Sequence, residues 1–179
     1  MKPSIGASQT PRPPPPLRSA PATGTLDRMD ATFVRVPGAR DRIYVRRSDG
    51  TEVSWDLATY GDNVPHDLVH LVVESAFGLQ RGFWGLVDSG IDPARVNAVA
   101  NRQGGADKYA AFGGDQREIL LAEALAAALS QTLEEPSAVL ERQGVQLELD
   151  EGVVERVRAE LRSLTALWRS EGKVRMRFP

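Results

Sequence analysis

The sequence predicts an α+β fold, with an N-terminal three-stranded antiparallel sheet followed by a mostly helical C-terminal half with short strands. Three observations predict it. Residues 31–55 alternate apolar and polar side chains around turn sequences, the period-2 pattern of half-buried strands. From Pro65 onward apolar residues recur at spacings of three and four, the helical period. The length, 179 residues, fits one domain. We place that domain at residues 29–179, behind a tail of residues 1–28.

The tail differs in composition. Residues 1–26 hold seven of the 12 prolines and three bases, with no acid. The run Pro13-Pro14-Pro15-Pro16 favours an extended polyproline conformation, and too few apolar residues accompany it to offset the entropy of ordering. A disordered, solvated tail is the expectation. Arg12 and the prolines after it have the chemistry of a ligand for an SH3-like groove. No apolar stretch follows Lys2, so a secretory leader is not indicated. Folded-looking sequence begins at Met29, which leaves open whether the tail belongs to the native protein.

The strands come first. Thr32-Phe33-Val34-Arg35-Val36 alternates and stops at Pro37-Gly38. Arg42 to Arg47 forms a second run. Ser48-Asp49-Gly50 supplies the positive φ of a hairpin, and Thr51 to Trp55 returns with Val53 and Trp55 on one face. Arg35, Arg42, Arg46 and Arg47 make this sheet locally basic, which fits an anionic partner or, more commonly, a solvated strand face.

Helices follow. Pro65 suits a first turn, and the helix after it runs to about Phe77 with Gly78 as its stop. A second spans about Leu79 to Ser89. Gly82 and Gly85 weaken it by about 1 kcal/mol each relative to Ala, and two explanations compete for their presence: close packing against another backbone, which we favour, or a ligand approaching there. Asp92-Pro93 opens a third helix, to about Arg102. Gly104-Gly105 and Gly113-Gly114 bracket a loop that lacks the spacing of a phosphate-binding loop. Asp115 to Glu118 reads as a capping box ahead of an Ala/Leu-rich helix from Ile119 to Thr132. Pro136 starts a short helix that ends at Gly144. Val145 to Leu149 alternates as a strand, and Glu151 to Ser170 is a long amphipathic helix with Val154, Val157, Leu161, Leu164 and Trp168 inward. Lys173 to Phe178 alternates as a terminal strand, which we pair with the strand at Val145.

Composition excludes several functions. With no cysteine there is no disulfide, thiol nucleophile or Cys-ligated zinc. A formal charge of −2 does not fit general nucleic-acid binding. No apolar run reaches membrane-spanning length, so we expect neither membrane association nor a nucleic-acid partner, and a cytoplasmic setting.

One constellation carries chemistry. Both histidines of the chain lie in His66-Asp67-Leu68-Val69-His70, four apart, where a helix stacks them on one face. Two imidazole nitrogens so placed can converge on one zinc ion. His66, Asp67, His70 and Glu74 form a polar stripe on a helix otherwise made of Leu68, Val69, Leu71, Val72, Val73 and Ala76. A narrow solvent-facing stripe would produce the same pattern without a metal. Glu74 is too far along the axis to share an ion with His66 and is better placed to orient His70. Glu118 or Glu123 can supply an oxygen. Glu118, on the face of Leu125 and Leu129, is our third ligand, although capping also accounts for it.

The pentad resembles the His-Glu-x-x-His helix of zinc metallopeptidases. The resemblance implies His66 and His70 as zinc ligands and Asp67 as general base toward a metal-bound water. Asp67 stands where that family has the longer Glu. A wider stretch resembles a group of small uncharacterised bacterial proteins. It is carried by Asp49 to Leu57, Pro65 to Glu74 and Gly78 to Gly85, and it implies no activity. Other chemistries fail: the His-Asp doublet lacks the additional upstream histidine of HD-type phosphohydrolases, and no Gly-x-Ser-x-Gly elbow is present.

Two functions stay open on these grounds. One is a metal-dependent, zincin-like hydrolase of a small-molecule or peptide substrate, with Asp67 and Glu74 as catalytic carboxylates. The other is a non-catalytic module that binds a partner, or a second copy as a homo-oligomer, through the Phe83/Trp84 region and the Ala/Leu helix.

Overall fold

The computed structural model describes residues 28–57, 61–96, 116–130 and 134–179. The expectations for the tail before residue 28, for the third helix beyond residue 96 and for the glycine-flanked loop at 104–114 lie outside the described residues. What is described is an α+β fold.

Strand β1 (Met29–Val34) pairs antiparallel with β2 (Arg42–Arg46), and β2 with β3 (Glu52–Asp56). The register sets Phe33 opposite Ile43 and Ile43 opposite Trp55. Alternation therefore sends Met29, Ala31, Phe33, Ile43, Val45 and Trp55 to one buried face. Asp41 fixes the hairpin entry, since its carboxylate accepts the Val36 N–H and its carbonyl accepts the Leu57 N–H.

The sheet has a fourth strand, β4 (Lys173–Phe178), and its order is β3-β2-β1-β4. This corrects the expected pairing with residues 145–149. β4 lies antiparallel along the free edge of β1, from Met29 opposite Phe178 to Val34 opposite Lys173, and it adds Val174 and Phe178 to the buried face. Gly172, at φ 61°, turns the chain out of the preceding helix, and its carbonyl accepts the Arg35 N–H. The partner was not visible in the sequence because β1 offers two edges and period 2 does not say which strand fills each.

The helices cover the buried face. α1 (His66–Phe77) ends at Gly78 in the left-handed region, as its sequence predicts. α2 (Phe83–Asp88) is shorter than expected and starts only after Gly82. α3 (Arg117–Ser130), α4 (Pro136–Arg142) and α5 (Glu151–Glu171) complete the described elements. α1 packs against α2, α3, α5 and β4. The inward positions of α5 are those its spacing picks out: Val154, Val157, Leu161, Leu164 and Trp168 are buried. Asp150 caps it, accepting the Val153 N–H at 2.8 Å.

Arg47 departs from the solvated-arginine expectation. It is buried, donating from Nε to Val87 O (2.6 Å), from Nη2 to Ile91 O (3.0 Å) and from Nη1 to Thr51 Oγ1 (3.1 Å). It thereby fastens the β2–β3 hairpin to the C-terminal end of α2 and the turn that follows it. No described helix is long and apolar enough to cross a membrane.

Candidate metal centre

α1 brings His66 and His70 to one face, as their spacing requires, with ring centroids 4.6 Å apart. α1 packs on α3, and this brings in Glu123. Its Oε2 lies 3.3 Å from His70 Nε2 and 3.7 Å from His66 Nε2. One ligand atom from each of the three residues falls within 4.8 Å of the other two. Ligands held about 2.0–2.1 Å from a tetrahedral ion stand about 3.3 Å apart. The two carboxylate–imidazole distances are close to that edge, and the histidine nitrogens lie within 4.8 Å of one another.

The burial is graded. The His70 side chain is 4% exposed, Glu123 33% and His66 48%. His70 forms the floor, while His66 and Glu123 open to solvent. The polar stripe of α1 is thus no solvent-facing strip, because His70 and Glu74 are both buried in the core.

Glu74 explains how His70 tolerates that position. Its carboxylate is fully buried and accepts three times: from His70 Nδ1 (3.3 Å), Phe83 N (3.1 Å) and Trp84 N (2.9 Å). With Nδ1 carrying the hydrogen, the tautomer presents a lone pair at Nε2. That buried nitrogen faces the Glu123 carboxylate at 3.3 Å. Burial by itself would push the His70 imidazole down, but Glu123 and Glu74 on either side outweigh it and raise the pKa to about 9. Burial likewise pushes the Glu74 carboxyl up, against the hydrogen bonds it accepts from His70 and the Trp84 N–H. A proton and a metal ion therefore compete for one nitrogen between two acids.

Close approach accounts for both glycines. A Cβ on Gly82 would stand 2.5 Å from Glu74 Oε2, and one on Gly85 would stand 1.8 Å from the Gln80 carbonyl oxygen. Packing against backbone holds at Gly85, whereas Gly82 lets the start of α2 approach a side-chain carboxylate.

The remaining sequence candidates go elsewhere. Glu118 does not join the histidines: its carboxylate accepts the Arg81 N–H at 2.7 Å, and the third donor is Glu123. One signal for Glu123 existed. It lies four residues after Ile119 and three before Ala126, both buried, so it borders the inward stripe of α3. Asp67 accepts the Trp55 indole N–H at 3.3 Å and is not among the three converging donors. Glu74 sits behind His70, where it can position that ring but reach no substrate.

Comparison with protein-family models, with curated proteins and with solved structures returns no match. The reading of the site rests on its own geometry.

That geometry bears on the interaction-module alternative too. Trp84 is fully buried, stacks edge-on against Phe33 and donates to the Asp67 carbonyl (2.8 Å). Phe83 is half-buried beside Trp55, Trp84 and His70. The Ala/Leu helix buries seven of its residues in the chain's own core. Trp84 and the seven buried residues of the Ala/Leu helix are thus used in folding, while Phe83 is partly exposed and Leu120 of that helix is exposed.

Proposed function

We propose that the chain binds one divalent metal ion, best matched by zinc, through His66, His70 and Glu123, and uses it in a hydrolytic reaction on a small-molecule or peptide substrate in the cytoplasm. The observation that carries the reading is the convergence of His66, His70 and Glu123, with one ligand atom of each within 4.8 Å of the others, while Glu74 holds the other nitrogen of the buried His70. A carboxylate behind a ligating histidine fixes the tautomer and raises its basicity. Two imidazoles and one carboxylate leave a tetrahedral ion one position short, which is the pattern of catalytic rather than closed structural zinc sites. A metal in such a site supplies a water of lowered pKa and a Lewis acid toward a carbonyl or phosphoryl oxygen. His66 and Glu123, on the exposed rim, leave that fourth position open to substrate. In this reading Glu74 is a positioning residue, and Asp67 tethers Trp55 instead of serving as base.

The test is metal analysis of untagged protein and calorimetric titration with zinc, on the wild type and on His66→Ala, His70→Ala and Glu123→Gln. One zinc per chain, with affinity lower by tenfold or more in each variant, supports the site. A wild type that takes up no zinc at 100 µM removes it. Hydrolysis is tested separately with zinc-loaded protein on activated esters, phosphoesters and short peptides. A rate abolished by both chelation and Glu123→Gln supports the enzyme, and tight zinc binding with no turnover on any of them removes the catalytic half alone.

A further inference from the structure

Residues Val145–Leu149 have the sequence of a strand but belong to no sheet. From Val145 to Asp150 the chain runs without a helix, turn or bend. Val145 and Leu149 lean on the core, Gln146 and Glu148 are exposed, and Leu147 between them is 37% exposed. The Val145 N–H is used, donating to the Leu140 carbonyl at 2.9 Å. Among the described residues no hydrogen bond engages the backbone of residues 146–149. Unpaired donors and acceptors beside an exposed leucine form a template for another strand.

We propose that this segment pairs with the same segment of a second copy, antiparallel about a twofold axis through Leu147. The sequence is complementary to itself in that register. Val145 faces Leu149, Gln146 faces Glu148 and Leu147 faces Leu147, so apolar residues share one side and no acid stands directly opposite another. Amides alternate in direction along an extended strand, and that of Val145 is used inward, so in the paired strand those of Gln146 and Glu148 would face the second copy. Each Gln146–Glu148 pair exchanges two hydrogen bonds, four in the dimer, and the Leu147 pair falls at a non-hydrogen-bonded position with Cα atoms about 4.5 Å apart. Leu147 borders a cavity of about 490 Å³ lined by Pro136, Leu149 and Val154, which the paired leucine would help to close. The contact is small beside a standard interface of about 1,600 Å², so the dimer is a weak one, with micromolar or higher Kd. Glu135, Glu148, Glu151 and Glu155 crowd this face, so moderate salt tightens the association by screening their repulsion.

The chain has no cysteine, so a single introduced thiol reports cleanly. Leu147→Cys places two thiols within disulfide reach across the axis, whereas Gln146→Cys places them on a diagonal beyond it. Under mild oxidation of full-length chain at about 100 µM, well above dilute conditions for a micromolar dimer, Leu147→Cys should cross-link at least tenfold faster than Gln146→Cys. Amide exchange at Gln146 and Glu148 in the wild type should slow as concentration rises. Equal or absent cross-linking by the two variants, each shown folded by circular dichroism, overturns the proposal. So does exchange that is slow even in dilute solution, because the strand is then covered from within its own chain. Exchange that stays fast at every concentration also overturns it and leaves the strand to a different protein.

Discussion

Replacing Glu74 by Gln keeps the volume of a fully buried side chain and changes only what its two terminal atoms can accept. In the native site Oε1 takes the Phe83 N–H and the His70 Nδ1–H, and Oε2 takes the Trp84 N–H. A glutamine has one acceptor and one NH2 donor. The better orientation keeps its oxygen at the Oε1 position and points the NH2 at the Trp84 amide, so a buried backbone donor faces a donor. An unsatisfied buried group costs about 1–3 kcal/mol, a large share of the roughly 5–15 kcal/mol by which domains are stable. Urea unfolding followed by tryptophan fluorescence reads this directly, because Trp84 and Trp55 lie 5.8 Å apart beside the substitution. The midpoint should fall with little change of slope. Zinc affinity should fall with it, by about tenfold, because a neutral amide holds the imidazole less firmly than a carboxylate. A midpoint equal to wild type, together with unchanged zinc affinity, would show that Glu74 neither caps α2 nor positions His70.

Other outcomes follow from the same geometry. Gly82→Ala should cost about 1–3 kcal/mol as overpacking, and Gly85→Ala more, since its obstacle is a main-chain carbonyl that cannot rotate away; thermal melts of the pair check the order. Arg47→Lys should lower stability by about 1.5–3 kcal/mol, because an ammonium cannot reach Val87 O, Ile91 O and Thr51 Oγ1 together; urea midpoints at neutral pH measure it. In chelator-treated protein, His70 is held above its ordinary value of 6.5, at about 9. A raised folded-state pKa gives stability that is complete below pH 6.5 and lost as pH rises through 9, on the order of 2–3 kcal/mol. Unfolding midpoints at pH 6 and 9.5 test the sign, and His70→Gln should flatten the difference. Zinc replaces that proton, so its binding releases protons and tightens as pH rises; titration in two buffers of different ionisation enthalpy counts them.

Much of the fold was legible because local signals agreed. Asp49-Gly50 and the alternation around it specify the β2–β3 hairpin, and the α5 spacing selects the same five inward residues that the structure buries. α1 was legible to its last turn, since Gly78 can adopt φ 66° where other residues resist it. What failed was non-local. The partner of β4 lies some 140 positions away, and a two-residue period carries no address. Of the site, the histidine pair was visible because helical spacing fixes it, while choosing Glu123 over Glu118 depends on how α3 rolls against α1. The length of α2 was misjudged for a related reason. Its first amides are capped by a carboxylate from another helix, which no pattern within residues 79–89 encodes.

The pairing of β4 with β1 also constrains the order of assembly. Asp30 meets Arg175 across a separation of 145 residues, so the sheet closes only by bringing together strands almost the whole domain apart. Loop closure of that length is entropically demanding and slows formation of the native topology. During synthesis the outer edge of β1, with Phe33 and Met29 uncovered, waits for nearly the whole domain to emerge. A growing chain is thus exposed to mispairing along that edge, and a defect confined to the final strand would be felt first as poor recovery of soluble protein.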